Sequence, residues 1–304
     1  MSAIYRAIGT TKQNFHQRLN RYLRRQDEEA QLVKLMHEVR QDHPAMGAEP
    51  MYRLLSPQGI GRDRFEAIYR AHGLKLYQKR NYRRTTDSRG VIRFNNLLEG
   101  IELTGVNQAY SSDITYYEMG GRFYYLTFIL DVYSRRIKGY SVSRTLLTEA
   151  TTLPALRMAL KGTTREQTEG IIIHSDGGGQ YYSKDFTALT RRAGMRNSMC
   201  TSVYENAHAE RINGTIKNSY LKHYAPRDYA SLQRQTKRAV EKYNNERPHQ
   251  SLGGLSPRDF EQKLAGNPQK TSLFTKKKEP KKKDDNDNNL ILKPTLKKVN
   301  CIQG

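Results

Sequence analysis

The 304-residue chain has no tryptophan, only two cysteines, and no apolar run of membrane-spanning length. Cys200 and Cys301 stand far apart and without metal-ligand spacing, so neither a disulfide framework nor a thiolate zinc site follows. A membrane partner is not expected. Acidic residues are also scarce, 30 against 52 Lys and Arg, giving a net charge of +22. The excess is not confined to the tail: Thr275 to Gly304 holds nine lysines and four acids, which leaves +17 in the body. A body this basic calls for an anionic partner, and nucleic acid is the default.

Four segments and a tail can be read along the chain. Residues 1–42 place apolar side chains at helical spacing (Phe15, Leu19, Tyr22, then Leu32, Leu35, Met36, Val39), with a turn and a capped helix start around Gly9 to Gln13. That pattern fits a small helix-turn-helix and an amphipathic helical pair equally. Residues 43–73 read as a helix over Glu49–Leu55, a Ser-Pro-Gln-Gly turn, and a second helix from Gly61 closed by Gly73. This is helix-turn-helix geometry, with Arg62, Arg64 and Arg70 available to phosphates or base edges. Residues 74–105 form a basic connector. From Lys75 to Arg93 there are seven Lys or Arg and one acid, interleaved with Tyr77 and Tyr82. Lys75, Lys79, Arg80, Arg83 and Arg84 are expected to follow a phosphate backbone. Residues 265–304 are a lysine-rich, low-complexity tail, expected to be disordered.

Residues 106–264 carry the core domain. Three β-rich runs, Tyr110–Tyr117, Arg122–Val132 and Arg136–Val142, are separated by short turns and predict an antiparallel meander. A helix over Thr148–Leu160, a short apolar strand at Gly170–His174, a helix over Lys184–Gly194, a strand at Met195–Met199 and helices from Asn206 and Ser231 follow. The order is that of an α/β ribonuclease H-like fold, a mixed five-stranded sheet flanked by helices.

Three acidic residues stand out as candidates. Asp113 sits inside an aromatic, β-branched strand, against propensity. Asp176 follows the apolar strand and precedes Gly177-Gly178-Gly179, where the backbone can turn sharply. Glu210 lies on the helix opened near Asn206, with Arg211 and Lys217 on neighbouring faces. Carboxylates on separate rigid elements suit divalent cations for phosphoryl transfer. Asp131 is ranked below them as a structural turn residue; Asp185 and Glu205 are also ranked lower.

The stretches HSDGGGQYYS (His174–Ser183), SMCTSVYENAHAERINGTIK (Ser198–Lys217) and YNNERPHQSLGGLSP (Tyr243–Pro257) resemble the DDE transposases of the insertion-sequence-three family, whose distant relatives are retroviral integrase cores. The resemblance implies an integrase-like core with catalytic, metal-holding Asp113, Asp176 and Glu210. It implies Mg²⁺ or Mn²⁺, two ions, as cofactor. It implies cleavage and joining of DNA at the inverted terminal repeats of an element and in target DNA, by a homo-oligomer on DNA in the bacterial cytoplasm. An upstream-frame partner protein belongs to the same expectation. Asn206, Arg211 and Lys217 are assigned to DNA contact. His174 is read as buried or supporting, and Arg247-Pro248-His249 as a structural turn with DNA contact open to it. The interval from Asp176 to Glu210 is slightly shorter than the family's usual spacing, a shortening placed at 200–203. Two other classes fit the basic chain: a regulator that kept the fold and lost the chemistry, and a nuclease acting on hybrids. Intact carboxylates speak against the first, the N-terminal segments against the second.

Overall fold

The computed structural model describes residues 5, 7, 9–75, 94–200 and 206–266. Lys79, Arg80, Arg83, Arg84, Glu205, Cys301 and the lysine-rich tail lie outside the described residues. Helix α1 spans Lys12–Asp42, with Thr11 capping it by accepting the Asn14 N–H at 3.1 Å. No glycine or proline falls within it and good helix formers dominate, so it runs unbroken for 31 residues. Ahead of it only Tyr5 and Ala7, both helical, are described before the turn. Helices α2 (Ala48–Leu55) and α3 (Arg62–Ala71) follow, close to the expected bounds. They close a small core with the end of α1, around Leu32, Met36, Met51, Phe65 and Ile68.

This helical core is tied to the rest of the compact unit. The Nδ1 of buried His43 lies 3.0 Å from the Tyr220 hydroxyl and its Nε2 lies 3.2 Å from Glu246. Asp42 pairs with Arg238 and Lys242, each at 2.9 Å.

The sheet consists of β1 (Ala109–Met119), β2 (Arg122–Asp131), β3 (Ile137–Ser143), β4 (Ile172–Ser175) and β5 (Arg196–Met199), in the order β3-β2-β1-β4-β5. β1 to β3 form the expected antiparallel meander, and β4 and β5 add in parallel on the other side of β1. β1 is therefore the central strand. Between β3 and β4 come α4 (Thr152–Ala159) and the short α5 (Arg165–Thr168), and α6 (Lys184–Arg192) joins β4 to β5. α4 starts later than the expected Thr148 because Pro154, lacking an N–H, is tolerated only in a first helical turn. After β5, α7 (Ala207–Gly214) continues into a π-helical stretch, Thr215–Leu221, and then through Lys222–Tyr224. α8 (Tyr229–Asn245) and α9 (Pro257–Gly266) complete the described chain.

The period of two along β2 divides its side chains between two cores. Leu126, Phe128 and Leu130 meet Ile212, Ile216 and Tyr220 of the α7 run, and Leu232, Ala239 and Tyr243 of α8. Ile129 faces the other way, with Ala155, Leu156, Ile173 and Phe186. With both faces covered, the β4 run is fully buried, as its unbroken isoleucines require.

Gly139 of β3 is where α4 comes closest. A Cβ there would lie 2.1 Å from the Ala155 carbonyl oxygen and 2.7 Å from the Ala159 nitrogen. Both obstacles are backbone, so the helix itself must move. Gly139→Ala is expected to cost about 3 kcal/mol or more, read as a fall in the denaturation midpoint. A second expectation concerns Glu261 of α9, which accepts from Ser134 at 2.8 Å and pairs with Arg136 at 2.5 Å and Lys138 at 3.1 Å. Burial pushes its pKa up, but the Lys138 charge and the bonds from Arg136 and Ser134 outweigh this and hold it below the ordinary 4.5. The cluster's contribution is thus full above pH 4.5 and is lost as pH falls through the lower folded value. Glu261→Gln should cost about 1–3 kcal/mol at pH 7. Urea titrations at neutral and strongly acidic pH should show that cost vanish in acid.

Candidate active site

Two parallel neighbours set the first half of the site. In the β1–β4 ladder Ser112 stands opposite Ser175. One residue further on, Asp113 and Asp176 emerge side by side, on chains about 5 Å apart. Asp113 remains in the strand, opposite Phe128 of β2, while Asp176 leaves β4 at its C-terminal end. There the Gly178 N–H donates to Asp176 Oδ1 at 3.1 Å. A Cβ on Gly178 would stand only 3.0 Å from that oxygen, so a side chain would crowd the carboxylate.

The second half comes from α7, which is strapped along β1. Asn206, directly before α7, donates through Nδ2 to the Ser112 carbonyl at 3.0 Å and accepts through Oδ1 from the Ser111 hydroxyl. Asn213 Nδ2 donates to Asp113 Oδ2 at 2.7 Å, and Lys217 Nζ donates to Thr115 Oγ1 at 3.0 Å. Asn206, Glu210, Asn213 and Lys217 thus form one stripe, and the helix follows β1 in the strand's own direction. Lys217 lies in the π-helical stretch, so its spacing from Glu210 departs from that of an ideal α-helix.

These elements enclose a cleft of about 430 Å³ lined by Asp113, Thr115, Asp176, Glu210, Asn213 and Lys217, among others. All three predicted carboxylates face it. Burial, then the charge of Asp176 and, less strongly, that of Glu210, push the Asp113 pKa up to about 7, against hydrogen bonds from the Ile114 N–H and Asn213. Burial also raises Asp176, opposed by the Gly178 bond. Burial lowers the Lys217 pKa against the pull of Asp113. The cleft therefore concentrates negative charge in a poorly solvated place, which is what a divalent cation relieves. Hard oxygen donors suit Mg²⁺ or Mn²⁺. Among the described residues no group of three His, Cys, Asp or Glu side chains is already closed around one ion point. The fit lies in donor type and shared cleft, and binding would need the carboxylates to turn toward a common centre.

The remaining predicted residues are placed as follows. Asn206 is 4% exposed, and both ends of its amide are engaged on β1, where it straps the helix to the strand. Arg211 is exposed on α7; nearby His208 is half-buried, and that burial, with the Arg135 and Arg211 charges, holds its pKa down at about 4. Arg62 and Arg70 are exposed on α3 with Asp63 at 3.6 Å and Glu66 at 2.5 Å, while Arg64 is half-buried. Lys75 lines a groove with Glu66, Tyr69 and Arg70. Asp131 is buried and holds a turn, accepting from Asn107 at 2.5 Å, Tyr133 at 2.9 Å and Ser134 at 2.8 Å. His174 is buried with Nδ1 2.9 Å from Ser198 Oγ. Arg247-Pro248-His249 forms a turn, with the His249 ring 4.8 Å from that of Tyr243. Asn213 went unnoticed in the sequence. Its signal was the spacing of Asn206, Glu210, Asn213 and Lys217, at 0, +4, +7 and +11 on one helix face.

Residues 104–203 match the Integrase core domain family, and residues 195–257 match a second family of the same description. An uncharacterized 31 kDa protein of insertion element IS600 from Shigella sonnei is 33% identical over 209 residues, covering 67% of this chain and 76% of that one. Transposase InsF for insertion sequence IS3A from Escherichia coli K12 is 33% identical over 201 residues. That match takes in 64% of this chain and 62% of the InsF transposase. Among solved structures, the HTLV-2 integrase catalytic core domain in complex with magnesium aligns at 20% identity and a TM-score of 0.41, over 51% of this chain and 97% of that one.

If the cleft holds a divalent ion, Mg²⁺ or Mn²⁺ should raise the wild-type unfolding temperature by several degrees at millimolar concentration. Asp113→Asn and Asp176→Asn should start at equal or higher metal-free stability, because a repelling charge is gone, and should lose the metal-dependent rise. Scanning fluorimetry with and without EDTA reads both effects.

Proposed function

Since the chain belongs to the insertion-sequence-three (IS3) family of DDE transposases, enzymes with an integrase core that cut and join DNA, we propose that its cleft carries out DNA strand cleavage and strand transfer at the ends of an insertion element. The observation that carries this reading is the convergence of Asp113, Asp176 and Glu210 on one cleft in an otherwise basic chain.

In this proposal the three carboxylates hold Mg²⁺ or Mn²⁺, two ions at full occupancy. Divalent ions at such a site supply Lewis-acid stabilisation of the attacking and leaving oxygens. The chain's own groups fix the geometry. Asn213 holds Oδ2 of Asp113, and the Gly178 N–H orients Asp176. Lys217, at the cleft wall, offers a cation to a DNA phosphate. In the first step water attacks the phosphodiester at an element end, the new bond forms from water oxygen to phosphorus, and the 3′-oxygen leaves as a hydroxyl. In the second, that 3′-hydroxyl attacks another phosphodiester, whose own 3′-oxygen departs with a proton. Neither step needs a covalent bond to protein. Two ends are processed together, so the acting form is an oligomer on DNA, with an upstream-frame protein as a further partner. Arg62, Arg64 and Arg70 on α3, and the connector cations, supply contacts to the terminal repeats.

The test is cleavage of a labelled element terminus by wild type and Glu210→Gln. DNA affinity should be retained while the cleavage rate falls at least about 100-fold, roughly 2.7 kcal/mol of transition-state stabilisation. Cleavage at the wild-type rate in that variant would remove Glu210 from the chemistry.

A further inference from the structure

A second cavity lies away from the carboxylates, at the tip of the β1–β2 hairpin. It measures about 510 Å³, and its walls include Arg122, Phe123, Tyr124, Arg144, Arg227 and Tyr229. The aromatic floor is ordered: Tyr124 stacks on Tyr229 with centroids 5.8 Å apart and planes 21° apart, and Arg144 lies 4.4 Å over the Tyr229 ring. Tyr229 is itself anchored by donating to the Val142 carbonyl at 2.8 Å. The three arginines are exposed, and among the described residues the salt bridges take in none of them. The acid at the rim, Asp228, is occupied as the α8 cap, accepting the Ser231 N–H at 2.6 Å.

This pocket is linked to the carboxylate cleft. Tyr116, 39% exposed, lines the cleft and lies 6.3 Å from Phe123, which is 57% exposed and lines the second pocket. Both belong to the same strand pair, and Met119 at the pocket wall lies six residues along β1 from Asp113. At about 3.4 Å per residue that is about 20 Å, or roughly six nucleotides along a B-form strand at about 3.4 Å each. Guanidinium groups without acidic partners select phosphates, and an exposed ring between them offers a face to a base.

We propose that the hairpin-tip pocket is a second nucleic-acid contact, binding the sugar-phosphate backbone of the same DNA about six nucleotides from the phosphate that reacts in the cleft. This rests on the reading that the cleft takes a DNA strand. The DNA on the pocket is either the element's own sequence or the flanking DNA outside it, which share the phosphate chemistry.

The experiment measures affinity of the full chain, wild type and Arg122→Gln/Arg227→Gln, for a labelled duplex spanning an element terminus with about twenty base pairs on each side. Two further duplexes cut one side or the other back to about four base pairs from the scissile phosphate. On the long duplex the double variant should bind at least about tenfold more weakly, with a salt-dependence slope smaller by about two. The deficit should disappear on one shortened duplex, and which one identifies the occupant. Phe123→Ala, which removes the ring but no charge, should weaken binding to the long duplex without changing that slope. An unchanged affinity, or the same deficit on all three duplexes, overturns the proposal. Binding is read apart from chemistry: a wild type that cleaves nothing yet shows the length dependence would refute the cleft's assigned reaction and leave the pocket standing.

Discussion

The parallel pairing of β1 with β4, register fixed with Ser112 opposite Ser175, is the constraint from which the site follows. A one-residue slip would turn the side chains of one strand to the opposite face, separating Asp113 from Asp176. The register is held by burial on both sides: Ile171 and Ile173 sit in one core while Ile172 packs with Ala109 and Val132. Asn206 then locks the α7 run to the same stretch of β1, so that Glu210, between Asn206 and the Asn213 that holds Asp113, lines the same cleft as the two aspartates. The carboxylates are brought to one cleft by sheet register and a buried amide rather than by attraction, and burial first, then the neighbouring Asp176 and Glu210 charges, pushes the Asp113 pKa up.

Burial and neighbouring negative charge together give the cleft its character. A carboxyl pushed up to about 7 is unstable as an anion near neutrality. Elsewhere buried Asp131 is engaged by three backbone N–H groups, and half-buried Glu261 by Arg136, Lys138 and Ser134. The contrast separates acids that hold the fold from those that remain open to a ligand.

Much of this was legible in the sequence. The period-two runs of β1 to β3 and the isoleucine run of β4 marked the sheet, and Asp113 stood out as a carboxylate in a strand of aromatic and β-branched residues. Of the three candidate carboxylates only Asp113 breaks a local rule; Asp176 was marked by the strand end and glycine run beside it, and Glu210 by the motif around it. The part not legible depended on contacts between distant segments. Nothing local distinguishes Asn206 as a strap from Asn206 as a surface polar residue, since the difference is made by Ser111 and Ser112, nearly a hundred residues away. The late start of α4 turned on where Pro154 is tolerated, and the π-helical turn beneath Lys217 has no signal in hydrophobic periodicity. The arginine pocket at the hairpin tip joins β2, β3 and the start of α8, three places whose sequences are unremarkable apart.

The central claim is that Asp113, Asp176 and Glu210 serve one cation-binding point. A crystal of the full chain grown with Mn²⁺, with data collected for its anomalous signal, tests this most directly. The account predicts a peak in the cleft with oxygens of Asp113 and Asp176 at about 2.0–2.2 Å and Glu210 turned to the same centre. Manganese bound elsewhere while the three carboxylates stay apart would contradict it.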